Sequence, residues 1–513
     1  MLKSLRKNTV IPLIALFSGI VTGCATAPIN SYLLAWVGLA PLWMLLALAK
    51  PSIKSKLLWA TAWGVGYHGL ALFWITGVHP MTWMGVPWLS SLLIAIACWL
   101  FITFWGAALV ALWSAGMMLL SASSRQKFLP SLSRVLFGVA CWCVLEAIWS
   151  AGPLWWSSLS YTQSPYNLAI LQLGKLSGPT TVTAALVAVN GLIAEGIIAI
   201  RSSRQQKPVL LVLPLIVFLG LHLIGWGMYA RPLADPQAAA LKVGIIQGNI
   251  PNVIKLSAPG LRRALTGYTR GYQQLVEAGV EAVLTPEGAL PFFQDKLMNS
   301  TLVQAIREQG VVAWVGTFGH HQRGYTNSLF TMTEDGIFSR YDKVNLVPVG
   351  EYVPFESVLG GIIERLSPLD EHQIAGSPDQ VLATPFGRAI VGICYDSTYA
   401  RHFRRQAAQG GELILTASNN AHYSSTMPAQ HHAQDVMRAI ETDRWAARAT
   451  NTGYSGVVDP HGRTVWISDI NTYEVYAGTI YRRQTQTLYV RWGDWLTIVL
   501  AVLAAITSCY SRS

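Results

Sequence analysis

Apolar runs long enough to cross a bilayer recur along the first 230 residues, separated by short polar breaks. A membrane-spanning helix takes about 20 mostly apolar residues. Such runs occupy 10–27, 32–49, 57–76, 86–120, 135–150, 179–200 and 209–229, and an eighth covers 492–510. The stretch 86–120 is long for one span and short for two, and it reads as one long helix. Residues 1–24 combine a basic start, an apolar core and Val21-Thr-Gly-Cys24, the pattern of a bacterial lipoprotein signal. Because apolar segments resume directly after Pro28, this segment reads instead as a first membrane helix.

Between Ala230 and Arg491 the pattern changes. Apolar runs shrink to strand length and are divided by turns: 241–246, 282–284, 311–315, 389–393 and 413–415. Helical periodicities alternate with them, at 258–278 and 428–450. Strands alternating with helices predict a layered α/β domain. No internal repeat or low-complexity linker is visible. The expected organisation is a seven-span bundle over 1–229, an α/β domain over 230–491, and a final membrane helix with its tail over 492–513.

Composition sharpens this picture. Of 513 residues, 52% are hydrophobic and 12% charged, about half the charge of an ordinary soluble domain. A disordered chain is excluded and a cytosolic protein disfavoured. The net charge of +11 raises the question of a nucleic-acid partner, which its distribution answers. Thirteen basic residues sit in the polar breaks and at the ends: Lys3, Arg6, Lys7, Lys50, Lys54, Lys56, Arg125, Lys127, Arg134, Arg201, Arg204, Lys207 and Arg512. Without them the remainder is slightly acidic, so no basic groove for a polyanion exists. Placing these breaks on the cytoplasmic side orients every span consistently. The 230–491 block then lies outside the cytoplasm.

Six cysteines are present: Cys24, Cys98, Cys141, Cys143, Cys394 and Cys509. Only Cys394 falls in the α/β block. It closes an apolar strand, where α/β folds place ligands. A nucleophilic thiol needs a base and a cation or N–H donors for the developing oxyanion. Glu287 follows the strand at 282–284, and Lys343 and Glu351 lie in a loop punctuated by Pro and Gly. Any one of these is ordinarily a solvated surface charge; their occurrence together with the one thiol points to a site. Glu146, near the outer end of a span, fits a functional charge or a structural hydrogen bond equally well. The Trp-rich stretches 83–88 and 149–156 read chiefly as interfacial belts. His320-His321 and His431-His432 lack companion ligands at metal spacing, so no metal is expected. Arg438, Glu441, Arg444 and Arg448 fall at helical steps and read as an ion-paired helix.

Glu287, Lys343 and Cys394, in that order, resemble the Glu-Lys-Cys triad of the nitrilase (carbon–nitrogen hydrolase) superfamily. The resemblance is closer still to the apolipoprotein N-acyltransferases and covers nearly the whole chain. Val243-Gly-Ile-Ile-Gln-Gly-Asn-Ile-Pro251 is similar to the strand that opens their outer domain. Tyr325-Thr-Asn-Ser328, Tyr341-Asp-Lys343, Leu346-Val-Pro348, Gly350-Glu-Tyr352, Ile393-Cys-Tyr395, Ser418-Asn-Asn420, Asn451-Thr-Gly453, Asp459-Pro-His-Gly-Arg463 and Gly493-Asp-Trp495 continue it in family order. Three places depart from the pattern. Asp396 stands where Glu is common, Asn419-Asn-Ala-His422-Tyr423 lacks the family's acid and large apolar aromatics, and Gly152-Pro-Leu-Trp155-Trp156 replaces a Gly-Phe-Pro-Trp segment.

The resemblance implies a polytopic α-helical membrane bundle of about eight spans plus an extracytoplasmic, nitrilase-like αββα sandwich. It implies residence in the bacterial cytoplasmic (inner) membrane, with the α/β domain periplasmic. It further implies transfer of a fatty-acyl chain from a membrane phospholipid, through a Cys394 thioester, to the N-terminal amine of diacylglyceryl apolipoproteins. Glu287 would be the general base, Lys343 the oxyanion cation and Glu351 the support of Lys343, with Tyr395 beside the nucleophile. Phe355, His422 and Tyr423 would line a substrate entrance or lid. No cofactor, metal or nucleic acid is implied. Two other readings stay open from the residues: a membrane-tethered amidase using the same triad with water, and a non-catalytic transporter or receptor carrying a degenerate enzyme-like domain.

Overall fold

The computed structural model describes residues 2–48, 51–121, 128–201, 207–348, 350–352, 373–421 and 423–510. It divides into two compact units. Met1–His79, Leu89–Arg231 and Trp492–Ser513 form one; Pro80–Trp88 and Pro232–Arg491 form the other.

The helical unit contains α1 (Leu2–Gly23), α2 (Ala40–Leu48), α3 (Ile53–Ala71), α4 (Trp88–Ser121), α5 (Phe128–Ala151), α6 (Pro179–Arg201) and α7 (Lys207–Tyr229), with Trp495–Tyr510 as its closing helix. Among the described residues four helical segments are long and apolar enough to cross a membrane: Trp88–Leu119, Ser131–Ala151, Pro179–Ile200 and Val209–Tyr229. The 86–120 run is indeed a single helix. α1 and α3 approach closely through glycine: a Cβ at Gly19 would lie 2.0 Å from the Trp63 carbonyl oxygen, and one at Gly66 2.3 Å from that of Leu16.

The apolar run 32–49 is not one continuous helix. Tyr32–Trp36 forms a 3-10 turn and α2 starts only at Ala40. Asn190 of α6 makes the break tolerable. Its Oδ1 accepts the Leu39 and Ala40 N–H groups at 2.9 and 3.0 Å, and its Nδ2 donates to the Ala35 carbonyl at 2.9 Å. Backbone groups freed from a helix in apolar surroundings need such partners. The run 57–76 likewise splits, α3 ending at Ala71 before a 3-10 turn at Phe73–Val78.

Glu146 is fully engaged. Its carboxylate accepts from Trp142 Nε1 (3.1 Å), Ser158 Oγ (2.8 Å), Thr183 Oγ1 (2.9 Å) and the Leu159 N–H (2.8 Å). The structural reading of this residue is therefore the one observed. A second buried carboxylate, Glu195, pairs with Arg134 and accepts from Trp43 Nε1 at 3.3 Å.

The α/β unit stacks two six-stranded sheets. The first has the order β12-β1-β2-β3-β4-β5, from β1 (Ala240–Gln247), β2 (Ala282–Leu284), β3 (Val312–His321), β4 (Gly324–Thr333), β5 (Gly336–Asp342) and β12 (Glu474–Tyr481). The second has the order β11-β10-β9-β8-β7-β6, from β6 (Leu382–Thr384), β7 (Gly387–Ile393), β8 (Leu413–Ser418), β9 (Ala446–Thr450), β10 (Gly456–Val458) and β11 (Thr464–Ile467). β1, β2 and β3 run parallel, as do β7, β8 and β9.

Period-2 alternation builds the layers. Leu241, Val243, Ile245, Ala282, Leu284 and Trp314 face Ala389, Val391, Ile393, Leu413, Leu415 and Ala447 across the sandwich. The alternate positions Ile246, Val283, Ala313 and Val315 pack outward on Tyr268, Tyr272, Leu275, Leu302 and Ile306. These belong to α8 (Ala258–Glu277) and α9 (Thr301–Gln309). On the far side α10 (Ala400–Ala408) and α11 (Thr426–Thr442) cover β7 and β10. Gly392 of β7 admits α10, since a Cβ there would stand 2.5 Å from the Phe403 ring.

The apolar runs at 241–246, 282–284, 389–393 and 413–415 all lie in strands, and that at 311–315 does so from Val312 onward. The helix expected over 428–450 is shorter: α11 stops at Thr442, where Asp443 takes a left-handed cap (φ +56°) and returns its N–H to Ala439 and Ile440. Arg438 pairs with Glu441 inside the helix, but Arg448 stands on β9 and pairs with Asp435 across elements. Helical spacing of the arginines thus misplaced the boundary.

Candidate active site

Three loops meet at the carboxyl ends of strands from both sheets. Glu287 follows β2, on a turn pressed against β3: Thr285 N–H and Oγ1 donate to the Trp314 carbonyl at 3.0 and 3.2 Å. Gly316 N–H donates to Thr285 Oγ1 at 3.1 Å. A Cβ at Gly316 would fall 2.0 Å from the Pro286 carbonyl oxygen, so only glycine lets the turn sit this close. Lys343 follows β5, its N–H bonded to the Asn327 carbonyl at 2.8 Å. Cys394 follows β7.

Lys343 bridges two carboxylates. Its Nζ donates to Glu287 Oε1 at 3.0 Å and to Glu351 Oε1 at 2.7 Å, with the lysine side chain only 1% exposed. Glu287 Oε1 also accepts from Asn327 Nδ2 at 2.6 Å, and Oε2 accepts the Asn419 N–H at 2.8 Å. Glu351 Oε2 accepts the Val347 N–H at 2.7 Å. Burial opposes ionisation of Glu287, yet the Lys343 and Lys255 charges and these donors hold its carboxyl below the ordinary range. At Glu351 burial, reinforced by the neighbouring Glu287 charge, prevails and pushes the carboxyl up. Burial also works against a charged Lys343, but the two carboxylates keep it protonated well beyond its usual range.

Cys394 is buried, in the field of these groups, with a left-handed backbone (φ +50°). That conformation costs a non-glycine residue about 1–2 kcal/mol and needs support on both sides. The Ile393 N–H donates to Asp396 Oδ2 at 3.0 Å, and neutral His431 donates from Nε2 to the Cys394 carbonyl at 2.9 Å. Burial lowers the His431 pKa to about 3, with the Arg448 charge adding to it. Asp396 Oδ1 accepts from Asn345 N–H (2.8 Å) and Nδ2 (2.7 Å), tying the lysine-bearing loop to the thiol-bearing one. The aspartate that departs from the family pattern therefore has a full set of partners. Burial raises the thiol pKa and Glu287 adds to this; Lys343 and a hydrogen bond from the Asn419 backbone pull the other way. At rest the sulfur is a thiol, and its proton must be taken during attack.

Asparagines position the Asn419 amide. Asn419 Nδ2 donates to Asn252 Oδ1 at 3.1 Å, and its Oδ1 accepts from Asn451 Nδ2 at 3.0 Å. Asn451 in turn exchanges hydrogen bonds with both backbone groups of Ile250. Asn327, Asn419 and Asn451 fall inside motifs visible in the sequence, which gave them no role. Lys255, at the end of the short helix Asn252–Lys255, had no sequence signal. Its Nζ donates to the Glu287 carbonyl at 3.2 Å.

Tyr395 is half-buried with its ring edge-on to Tyr399, centroids 5.3 Å apart. Tyr423 lies near enough that burial and then the Cys394 charge push its phenol up. Phe355 and His422 lie outside the described residues. His431 and His432 bond to the Cys394 carbonyl and to Thr464 Oγ1 respectively. Among the described residues no group of three His, Cys, Asp or Glu is arranged to hold a metal.

Residues 242–489 match the carbon–nitrogen hydrolase family and residues 18–192 the apolipoprotein N-acyltransferase N-terminal domain. A curated apolipoprotein N-acyltransferase of Nostoc sp. is 60% identical over 94% of this chain and 96% of its own length. One from Synechocystis sp. is 48% identical over 95% of this chain and 98% of its own. Among solved structures, an amidase from Nesterenkonia sp. aligns with 52% of this chain and 99% of its own at 17% identity, TM-score 0.39.

Proposed function

The chain belongs to the apolipoprotein N-acyltransferase family, and on that premise we propose how its site works. It moves a fatty-acyl chain from a membrane phospholipid to the α-amine of the diacylglyceryl cysteine that begins an apolipoprotein. The observation that carries the reading is the buried Lys343 between Glu287 and Glu351, with the one thiol of the α/β unit in their field.

In the first half-reaction Glu287 takes the Cys394 proton as sulfur attacks the acyl ester carbon. Lys343 and nearby backbone N–H groups face the charge that develops. The C–O bond breaks, the proton passes from Glu287 to the departing alkoxide, and a lysophospholipid leaves a thioester. In the second, the amine attacks the thioester, gives a proton to Glu287, and the thiol is restored as the amide forms. Glu287 suits both roles because its low basicity lets it release the proton again. Glu351 keeps Lys343 aimed, Tyr395 supports the thiol loop, and Tyr423 borders the entrance for lipid-anchored substrates.

The amidase reading is not favoured, since similarity to the acyltransferases spans the helical unit as well as the α/β unit. We further assign the apolar segments to about eight spans of the bacterial cytoplasmic membrane, over 1–229 and 492–513, with 230–491 on the periplasmic face. The basic polar breaks support this orientation.

Incubation with phospholipid alone, followed by intact-peptide mass spectrometry, tests the chemistry. An acyl adduct on Cys394 is expected, removed by hydroxylamine and discharged to an amide by a diacylglyceryl-cysteine peptide. A folded protein without an adduct would refute the donor step. Cys394→Ala should remain folded and membrane-inserted with no transfer.

A further inference from the structure

The residues above leave one charged group beside the site without a role. Lys255 ends the helix Asn252–Lys255 and directs its Nζ at the backbone oxygen of Glu287, 3.2 Å away. That bond occupies one of its three N–H donors. The neighbouring Gly288 adopts φ +53°, and a Cβ there would stand 3.3 Å from the same Nζ. Bare backbone at Gly288 thus leaves room for the ammonium against the base-bearing turn. Burial lowers the Lys255 pKa to about 8, while the Glu287 and Cys394 charges draw it back up. It is therefore mostly protonated at neutral pH.

A site of this kind has a charge problem that Lys343 does not solve alone. One ammonium is shared by two buried carboxylates, and ionisation of both leaves an excess negative charge where a thiolate must form. Like charges in one buried site push a proton back onto one member. A proton on Glu287 would remove the base.

We propose that Lys255 is a positioning residue that acts through Glu287: it fixes the turn through the Glu287 carbonyl and supplies the second positive charge that keeps the Glu287 carboxylate ionised and ready. The groups facing this arrangement are Glu287 from the turn after β2, Lys343 and Glu351 from the loop after β5, and Cys394 from the end of β7. The inference rests on Glu287 acting as the base, as proposed above.

The test uses full-length protein in phospholipid micelles and compares Lys255→Met, Lys255→Gln and Lys255→Arg. The rate of acyl-enzyme formation is followed against pH, and so is alkylation of Cys394 by iodoacetamide. In the Met and Gln variants the acid limb of both profiles moves up by about 1 pH unit, the smaller end of what loss of a neighbouring charge does to a carboxyl. The rate near neutrality, where Glu287 stays ionised in every variant, changes little. Arg holds the wild-type limb. Gln separates charge from hydrogen bonding, because it keeps a donor for the carbonyl. Slower rates with an unmoved acid limb, or equal behaviour of Gln and Arg, would overturn the charge role. The alkylation arm needs no lipid. A limb shift there without any acyl adduct in the wild type would therefore sink the phospholipid-donor reading while leaving Lys255 in place.

Discussion

Lys343 shows how much one residue can carry. Its ammonium is the hydrogen-bonded counter-charge to Glu287 and Glu351, and in the proposed mechanism it faces the carbonyl under attack. Lys343→Ala is expected to slow acyl-enzyme formation by about 10²–10³-fold, the usual scale for losing an oxyanion donor. Single-turnover acylation measures it; a near-normal rate would exclude the role. The Glu287 carboxyl is held below its ordinary range, so its ionised form persists as pH falls through about 4.3 and is lost only as pH drops through the depressed value. Acylation should accordingly fail below, not at, the ordinary glutamate range. Asp396 is as tightly bound by its surroundings. Asp396→Asn turns its NH₂ toward the donors of either Asn345 or Ile393, and an unmet buried donor costs about 1–3 kcal/mol. Acylation should fall and the melting temperature with it, even though Asn is nearly isosteric. Sequence made the charged residues readable, because a lone thiol, a carboxylate and a lysine at strand ends have few innocent reasons to coincide. It left Lys255 and the asparagine ladder dark, since a neutral amide that only orients a backbone N–H has the same composition signature as any turn.

Among the elements, the inner strands were the legible ones. β1, β2, β3, β7 and β8 are apolar runs packed between layers, and parallel buried strands write that pattern plainly. β4 (Gly-Tyr-Thr-Asn-Ser-Leu-Phe-Thr-Met-Thr) and β9 (Ala-Ala-Arg-Ala-Thr) are fixed by their neighbours in the sheet, which no local pattern records. The end of α11 was hidden for a related reason: Asp443 supplies a left-handed cap usually left to glycine. The broken run at 32–49 had its cause 150 residues away, in Asn190. Gly392 offers a test at this scale. Gly392→Ala places a methyl 2.5 Å from Phe403 and should cost about 1–3 kcal/mol. A lowered denaturation midpoint with an unmoved acid limb is expected; an unchanged midpoint would show that α10 moves aside freely.

For the whole molecule, the membrane orientation is the claim most exposed to experiment. In spheroplasts, an impermeant maleimide should label Arg323→Cys, in the α/β unit, while Ser52→Cys, in a basic break, stays protected until lysis; the reverse would invert the topology. The distribution of basic residues suggested this arrangement, whereas nothing local in the sequence told that the site would be assembled from two sheets. Glu287 and Lys343 belong to the first and Cys394 to the second. Chain order gives that division a meaning during synthesis. Strands β1 to β5, and with them the proposed base and cation, leave the ribosome before the thiol does, and of the first sheet only the edge strand β12 is still missing. The nucleophile is the last of the three to arrive, delivered to partners already made, so a half-made chain never carries a cysteine that is waiting for its base.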